Sequence, residues 1–431
     1  MRRPSVVGAR QTLQAVVRKH RPDYQIMLFM GLLMLVGLVV MYAIGPQRAN
    51  VLNHVYGTDF YSSTYFFTKQ ATSLLIAVGA FIALALVPVS WLKKNAKKIL
   101  YLGFGACALL FLMGNVLNIE KVAQCSLGAC RWFELGPIGS VQPAEILKFG
   151  LLIFLAGFLA RRIQQGLIND IEKTIIPVGV IYGLAMLFIA VLQKDLGTGI
   201  TLTAIVAAML LVGGVNRKVG AQLLAIVMAL GVVMIIIAPH RVARVTTFFN
   251  GGDITSQITD ANYQIQNAKI AIGSGGWFGV GIGNSVQASG YLPEAINDSV
   301  FAIMGEIFGF VGLVVILGMF TALLMRLLRI SNHLTDVWMR LVVAGIFGWL
   351  ASHVILNVAA MIGAFPLTGI TLPMLSFGGT SMIFMAAALG LAFQLSRYTA
   401  HGFVNKEVAA YESIGSRRGI GRSRNTGRRG N

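Results

Sequence analysis

Charge is what this sequence has least of. Only 12% of its 431 residues are Asp, Glu, Lys or Arg, against 56% hydrophobic, and the mean hydropathy is +0.74. So little polar side chain cannot cover a water-soluble globule of this size, which excludes a soluble enzyme or binding domain. Cysteine is nearly absent as well. There are three, and the six His are scattered with no Cys/His spacing that suggests a zinc site. The one Gly-rich stretch does not satisfy G-x-G-x-x-G and has no βαβ pattern around it, so a dinucleotide site is not supported either.

What is present is a series of apolar runs of about 20 residues, the length a helix needs to cross roughly 30 Å of hydrocarbon. Ten are expected, at about 25–45, 65–89, 99–118, 141–160, 174–193, 196–214, 219–238, 297–325, 338–363 and 376–396. The first is too long for the apolar core of a signal peptide and reads as a retained helix. The expected architecture is an all-α polytopic membrane protein. It has a basic tail at 1–23, a ten-helix domain at 24–398 and a basic, low-complexity tail at 399–431.

Lys and Arg cluster in alternate connections. With the N-terminus inside, the inner segments hold 26 of the 35 Lys and Arg but only 6 of the 16 acids. The positive-inside bias therefore places both termini in the cytoplasm. The net charge of +19 is a topology signal of this kind and gives no ground for a nucleic-acid partner. The tail "SRRGIGRSRNTGRRGN" is too polar to fold alone and suits contact with anionic lipid headgroups.

Polar residues at membrane depth or in outer loops carry the functional signal. The longest outer loop, about 239–297 between helices 7 and 8, is unlike a mere connector. It holds "HRVARVTTF", with Arg241 and Arg244, then "YQIQNAKIAIGSGGWFGVGIG", with Gln264, Lys269 and a dense glycine run. Those glycines either bring flexible backbone close to a ligand or let the segment pack against the bundle. In "RWFELGPIGSVQPAEILKFG", Glu145 and Lys148 share one helical face, as a structural ion pair or as polar groups facing a cavity. Arg131 just before them is an interfacial anchor or an anion contact. In "QKDLGTG", Asp195 stands at a helix start, where a carboxylate suits the dipole. "FPLTGITLPMLSFGGTS", with Ser376, is broken backbone at membrane level, tolerated only where protein or a watery cavity satisfies it. In "YLPEAINDSVFAIMGE", Asp298 read alone is an acid that starts a helix, and Glu294 and Glu306 read as supports. Cys107 is a small apolar filler in mid-helix. Cys125 and Cys130 in "CSLGAC" are either a short disulfide or two free thiols.

Taken in order, these motifs resemble the SEDS family, the FtsW/RodA/SpoVE peptidoglycan glycosyltransferases. "GIGNSVQ", "YLPEA" and "SFGGTS" are most similar to its division branch. The resemblance covers nearly everything from the first helix to the tenth. It implies a ten-helix fold at the bacterial cytoplasmic membrane, at the division septum, where lipid II is polymerised into β-1,4-linked glycan at the outer face. It also implies a cognate class B penicillin-binding protein and divisome membrane proteins as partners, and it leaves open a divalent cation, Mg or Mn. The family's essential Asp falls on Asp298, as general base. Arg131, Glu145, Lys148, Asp195, Arg241, Arg244, Gln264, Lys269, Glu294 and Ser376 would be substrate-binding. Several neighbours depart from the family pattern: Ile296-Asn297 replace His-Thr, Ser299 replaces Phe, Ile307 replaces Glu, Asn267-Ala268 replace Gln-Ser, and Lys194 replaces Pro. A lipid II flippase would use the same bundle and cations without a base, and a non-catalytic division scaffold would need neither.

Overall fold

The computed structural model describes residues 21–119, 122–126, 129–134, 136, 139–236 and 260–399, together with 242 and 245. Eleven helices of eight residues or more lie among them. In chain order they are α1 Tyr24–Tyr56, α2 Tyr65–Leu86, α3 Val89–Phe111, α4 Pro143–Gln164, α5 Ile176–Met186, α6 Leu196–Val212, α7 Arg217–Ile236, α8 Asp260–Ser274, α9 Val300–His333, α10 Val337–Met361 and α11 Gly379–Leu395. Wider π turns extend α3 to Val116 and flank α5, so that its span runs Ile171–Leu192. Nine spans among the described residues are long and apolar enough to cross a membrane. The remaining expected crossing, at 196–214, is α6, an apolar helix of 17 residues. It is shorter than the rest because Asp195 caps its start and Gly213-Gly214 turn the chain at its end.

Helix limits exceed the apolar runs wherever charged residues continue the helix. α3 starts ten residues before the expected 99 because "WLKKNAKK" is helical, its lysines exposed while Leu92 and Ala96 face inward. This is how long cationic side chains behave at an interface, with the stem on apolar surface and the head in water. α9 likewise runs on to His333.

α4, α10 and α11 are the most enclosed spans, with α3 and α10 packed on α4, α6 on α10, and α2 on α11. With no hydrophobic force between helices in lipid, such contacts rely on small residues that let backbones meet. A Cβ on Gly103 would lie 2.6 Å from Leu147 Cα, and one on Gly150 would lie 2.9 Å from Leu100 Cα, so α3 and α4 are locked from both sides. α7 stands apart from this core, with none of its residues buried.

The connection between α3 and α4 holds an antiparallel sheet that the all-helical expectation did not include: β1 Ala123–Ser126, β2 Ala129–Glu134 and β3 Ser140–Val141. Cys125 and Cys130 face each other across β1 and β2 and are joined as a disulfide, which settles the two open readings. Cys107 is buried and free, as a filler would be.

Two glycines of the long loop, Gly275 and Gly279, serve packing. Gly309, with φ +67°, breaks α9, and the 276–281 strand of chain docks on that break. Val280 N–H donates to Glu306 O at 2.9 Å, Gly281 N–H to Ile307 O at 3.1 Å, Phe310 N–H to Gly276 O at 2.9 Å and Val311 N–H to Trp277 O at 3.1 Å. At Gly275 and Gly279 the α9 backbone leaves no room for a Cβ, whereas Gly273, Gly276 and Gly283 have open space there, and none of these glycines lines the cavity described below.

Candidate functional site: a polar cavity at one end of the bundle

Helix ends and the short sheet build most of the site, with His353 reaching in from within α10. The start of α4, the start of α6, the turn before α9, the loop after α10, the start of α11 and the last part of α1 converge on a cavity of about 770 Å³. The Lys-rich start of α3 and the Arg161-Arg162 end of α4 are at the opposite end of α4. Arg131, Glu145, Asp195, Glu294 and Asp298 of the expected residues line the cavity. Arg241 and Arg244 lie outside the described residues.

Asp298 is held from several directions. Gln264 Nε2, on α8, donates to its Oδ1 at 3.3 Å and to Ser299 Oγ at 2.9 Å. Asn357 Nδ2, on α10, donates to the Asp298 carbonyl at 2.7 Å and to Ile370 O at 2.8 Å. Phe377 N–H donates to the Ile296 carbonyl at 2.7 Å. The helix-cap position falls on Ser299, one residue beyond Asp298. Glu294, in the left-handed region at φ +52°, turns the chain just upstream and accepts from Asn297 Nδ2. Glu306 is the buried support expected of it: its carboxylate takes the Ser285 hydroxyl and the Val286 and Gln287 amides.

Asp195 caps α6, accepting from Thr198 N at 2.9 Å and Thr198 Oγ1 at 2.7 Å, and receives Gln142 Nε2 at 3.1 Å. Arg131 anchors β2 to that turn, donating from Nε to Gln193 O at 3.2 Å and from a terminal nitrogen to Lys194 O at 2.9 Å. Lys194 holds φ +51° there, a backbone angle closed to the proline that usually occupies the position in the family motif.

Lys148, Ser376 and Lys269, like Gln264, are not among the cavity-lining residues. Lys148 is fully enclosed: its ammonium sits 2.7 Å from Glu145 Oε1 and 4.8 Å over the Trp349 ring, and it does not line the cavity. Ser376 is buried and closes its own loop, its Oγ accepting from Leu372 N at 2.7 Å. Thr380 and Ser381 reach the cavity instead. Lys269 is exposed and lies against Gly363 at the end of α10, outside the cavity lining.

Sequence reasoning passed over His353, Arg48 and Gln142, all of which line the cavity. His353 is 4% exposed, with Nδ1 3.2 Å from Thr371 O. An ionisable group inside an apolar run was the available signal. Among the described residues no three His, Cys, Asp or Glu side chains come together as metal ligands.

The wall therefore offers carboxylates and cations together, with amides and hydroxyls between them. Such a lining can take a proton from a hydroxyl and hold an anionic group in the same space.

Comparison with known proteins agrees with this architecture. The chain is 30% identical over 378 residues to the probable peptidoglycan glycosyltransferase FtsW of Nitrosomonas europaea, covering 87% of this chain and 93% of that one. It is 31% identical to stage V sporulation protein E of Bacillus subtilis, covering 89% and 99% respectively. Among solved structures, the rod shape determining protein RodA of Thermus thermophilus superposes with a TM-score of 0.60 at 24% identity, over 88% of this chain and 98% of that one. A chain from a peptidoglycan synthase complex described as coordinating polymerization and crosslinking gives 0.68 at 24% identity, over 88% and 99%. The sequence profile of the FtsW/RodA/SpoVE cell cycle proteins matches residues 24–401, and with nearly the whole membrane domain inside that match the chain belongs to this family.

Proposed function

We propose that the protein is a peptidoglycan glycosyltransferase. It polymerises lipid II into β-1,4-linked glycan at the outer face of the bacterial cytoplasmic membrane, for septal wall synthesis, alongside a class B penicillin-binding protein and other division proteins. The relatives named as such enzymes support the activity, and the likeness to a synthase complex supports the partner. The charge bias supports the sidedness, since the cavity lies at the end away from the Lys-rich turns. The observation that carries the reading is Asp298, its carboxylate held by Gln264 and its backbone carbonyl by Asn357, in the wall of a cavity that also presents Arg48 and Arg131.

In the reaction, Asp298 takes the proton from the 4-hydroxyl of the acceptor sugar as that oxygen attacks the donor's anomeric carbon. A C–O bond forms there while the bond to the diphosphate oxygen breaks, and the electron pair leaves with the undecaprenyl diphosphate. Attack from the face opposite the leaving group inverts the centre and gives the β linkage. Arg48 and Arg131 are placed to offset the growing charge on the diphosphate, and charge-assisted donors of this kind are the strong ones.

The test is purified full-length protein, with and without the transpeptidase, incubated with lipid II and assayed for glycan chains. Removing a general base lowers turnover by roughly 10²–10⁴-fold, so Asp298→Ala should make almost no polymer while remaining folded. Equal polymer from wild type and variant would remove Asp298 from the chemistry. Headgroup translocation without polymer from either would favour a flippase.

A further inference from the structure

A second cavity, of about 410 Å³, lies at the other end of the bundle, where the start of α3, the end of α4 and the start of α10 meet. Its size falls in the range of about 300–1,000 Å³ typical of small-ligand sites. Lys93, Lys94, Lys97 and Arg161 line it, with Asp336 as the only acid among the described lining residues.

That acid is already engaged. Asp336 Oδ2 meets Lys93 Nζ at 3.1 Å, and Oδ1 accepts the Met339 amide at 3.0 Å as the cap of α10. Lys94, Lys97 and Arg161 have no acidic partner among the described residues. A donor on the opposite wall adds to them. The Trp338 side chain is 4% exposed, and its indole Nε1 is buried with no acceptor among the described residues. A buried N–H without an acceptor is costly, which makes this one a pointer to a missing partner. The space beside it is held open by Gly157, where an added Cβ would still be 3.8 Å from Nε1. The inner wall is apolar: Phe154 lies seven residues before Arg161 on α4, about 10 Å deeper into the bundle.

Three cations without an acidic partner among the described residues and an orphan N–H at the mouth, with an aromatic floor beneath, match an amphiphile that carries a phosphate. We propose that this cavity binds the phosphate headgroup of an anionic phospholipid from the leaflet at this end of the bundle. Free phosphate shares the donors but has no use for the apolar depth, and basic pockets between membrane helices are suited to lipid headgroups. This site is separate from the cavity of the proposed reaction, and its test does not depend on that reaction.

The test uses the full-length protein in neutral detergent, with lipid retention followed by native mass spectrometry during titration with phosphatidylglycerol, phosphatidylcholine or inorganic phosphate. Wild type should retain phosphatidylglycerol well over phosphatidylcholine. Lys94→Gln/Lys97→Gln/Arg161→Gln should weaken that retention on the order of a hundredfold. All three side chains are exposed, so the fold should survive the changes. Gly157→Leu, which fills the gap beside Trp338 without touching charge, should weaken it as well. Lys98→Gln/Arg217→Gln/Lys218→Gln, with the same charge change outside the cavity, should not. Equal loss in this control would show diffuse attraction and overturn the site. Retention unchanged in both cavity variants would overturn it too, and displacement of the lipid by inorganic phosphate at equal concentration would overturn the lipid assignment.

Discussion

Lys148→Met is the sharpest probe of how this bundle tolerates charge. The substitution keeps the length and most of the packing of the side chain but removes the ammonium that sits 2.7 Å from Glu145 Oε1. Glu145 is 2% exposed, and its second oxygen, Oε2, has no hydrogen-bond partner among the described residues. The variant therefore strands a carboxylate in a nearly closed space. Breaking a buried pair from one side costs about 3–5 kcal/mol, whereas replacing both members is often close to neutral. Loss of the contact with the Trp349 ring, 4.8 Å from the ammonium, adds roughly 1–2 kcal/mol for a desolvated cation. Lys148→Met should thus destabilise by at least about 3 kcal/mol, and Glu145→Gln/Lys148→Met should regain most of that. The assay is reversible denaturant unfolding in mixed micelles, run as a double-mutant cycle. A single variant within about 1 kcal/mol of wild type would refute the argument, because Glu145 would then be hydrated from the cavity. A double variant no better than the single would refute it from the other side.

Gln264→Ala removes a donor to the Asp298 carboxylate, worth about 1.5–3 kcal/mol for a charged acceptor. Turnover in glycan synthesis should fall roughly 10–100-fold with KM little changed; an unchanged turnover would mean that the amide does not position the base. Gly309→Ala should cost about 2 kcal/mol or more in unfolding measurements, since φ +67° is strained for alanine and the backbone of 277–279 already occupies the space for a methyl group. Wild-type stability there would show that the break in α9 does not depend on glycine. Ser376→Ala should lose about 1 kcal/mol through the Leu372 amide and still make glycan at the wild-type rate. A tenfold drop in polymer at unchanged stability would place its hydroxyl on the substrate.

The membrane domain was legible because a helix crossing lipid must satisfy its backbone internally and expose apolar side chains, and both requirements show in sequence. Hydropathy registers the crossing, however, and not the helix. "WLKKNAKK" is the case in point, charged in composition and helical in fact. The pair Glu145 and Lys148 was readable from spacing alone, and so was the Asp195 cap. Whether the ammonium of Lys148 faced a ligand was not readable, because that depends on Trp349, which is distant in sequence. The glycine run illustrates the same limit: two readings were open until the break at Gly309 gave the glycines a partner. The short strands of 123–141 escaped notice because a sheet this small leaves no sustained alternation to detect.

The residues that depart from the family pattern around Asp298 gain a physical account from these contacts. Ile296 is buried, and it is its backbone carbonyl that does the binding, accepting the Phe377 amide, so the side chain at that position is not required for the clamp. Asn297 closes onto Glu294 and steadies the turn. Ser299, fully buried, supplies an oxygen 2.9 Å from Gln264 Nε2, so the amide that holds the Asp298 carboxylate is itself fixed by this serine. Ile307 lies in the backbone pairing with Gly281, at a buried site outside the cavity lining. Ile296 and Asn297 line the cavity where the family motif has His-Thr, so one imidazole is missing from the wall, but the contacts that hold Asp298 in place are kept. A weakened catalyst would show the opposite pattern, with the supports of Asp298 lost while the helices kept their places.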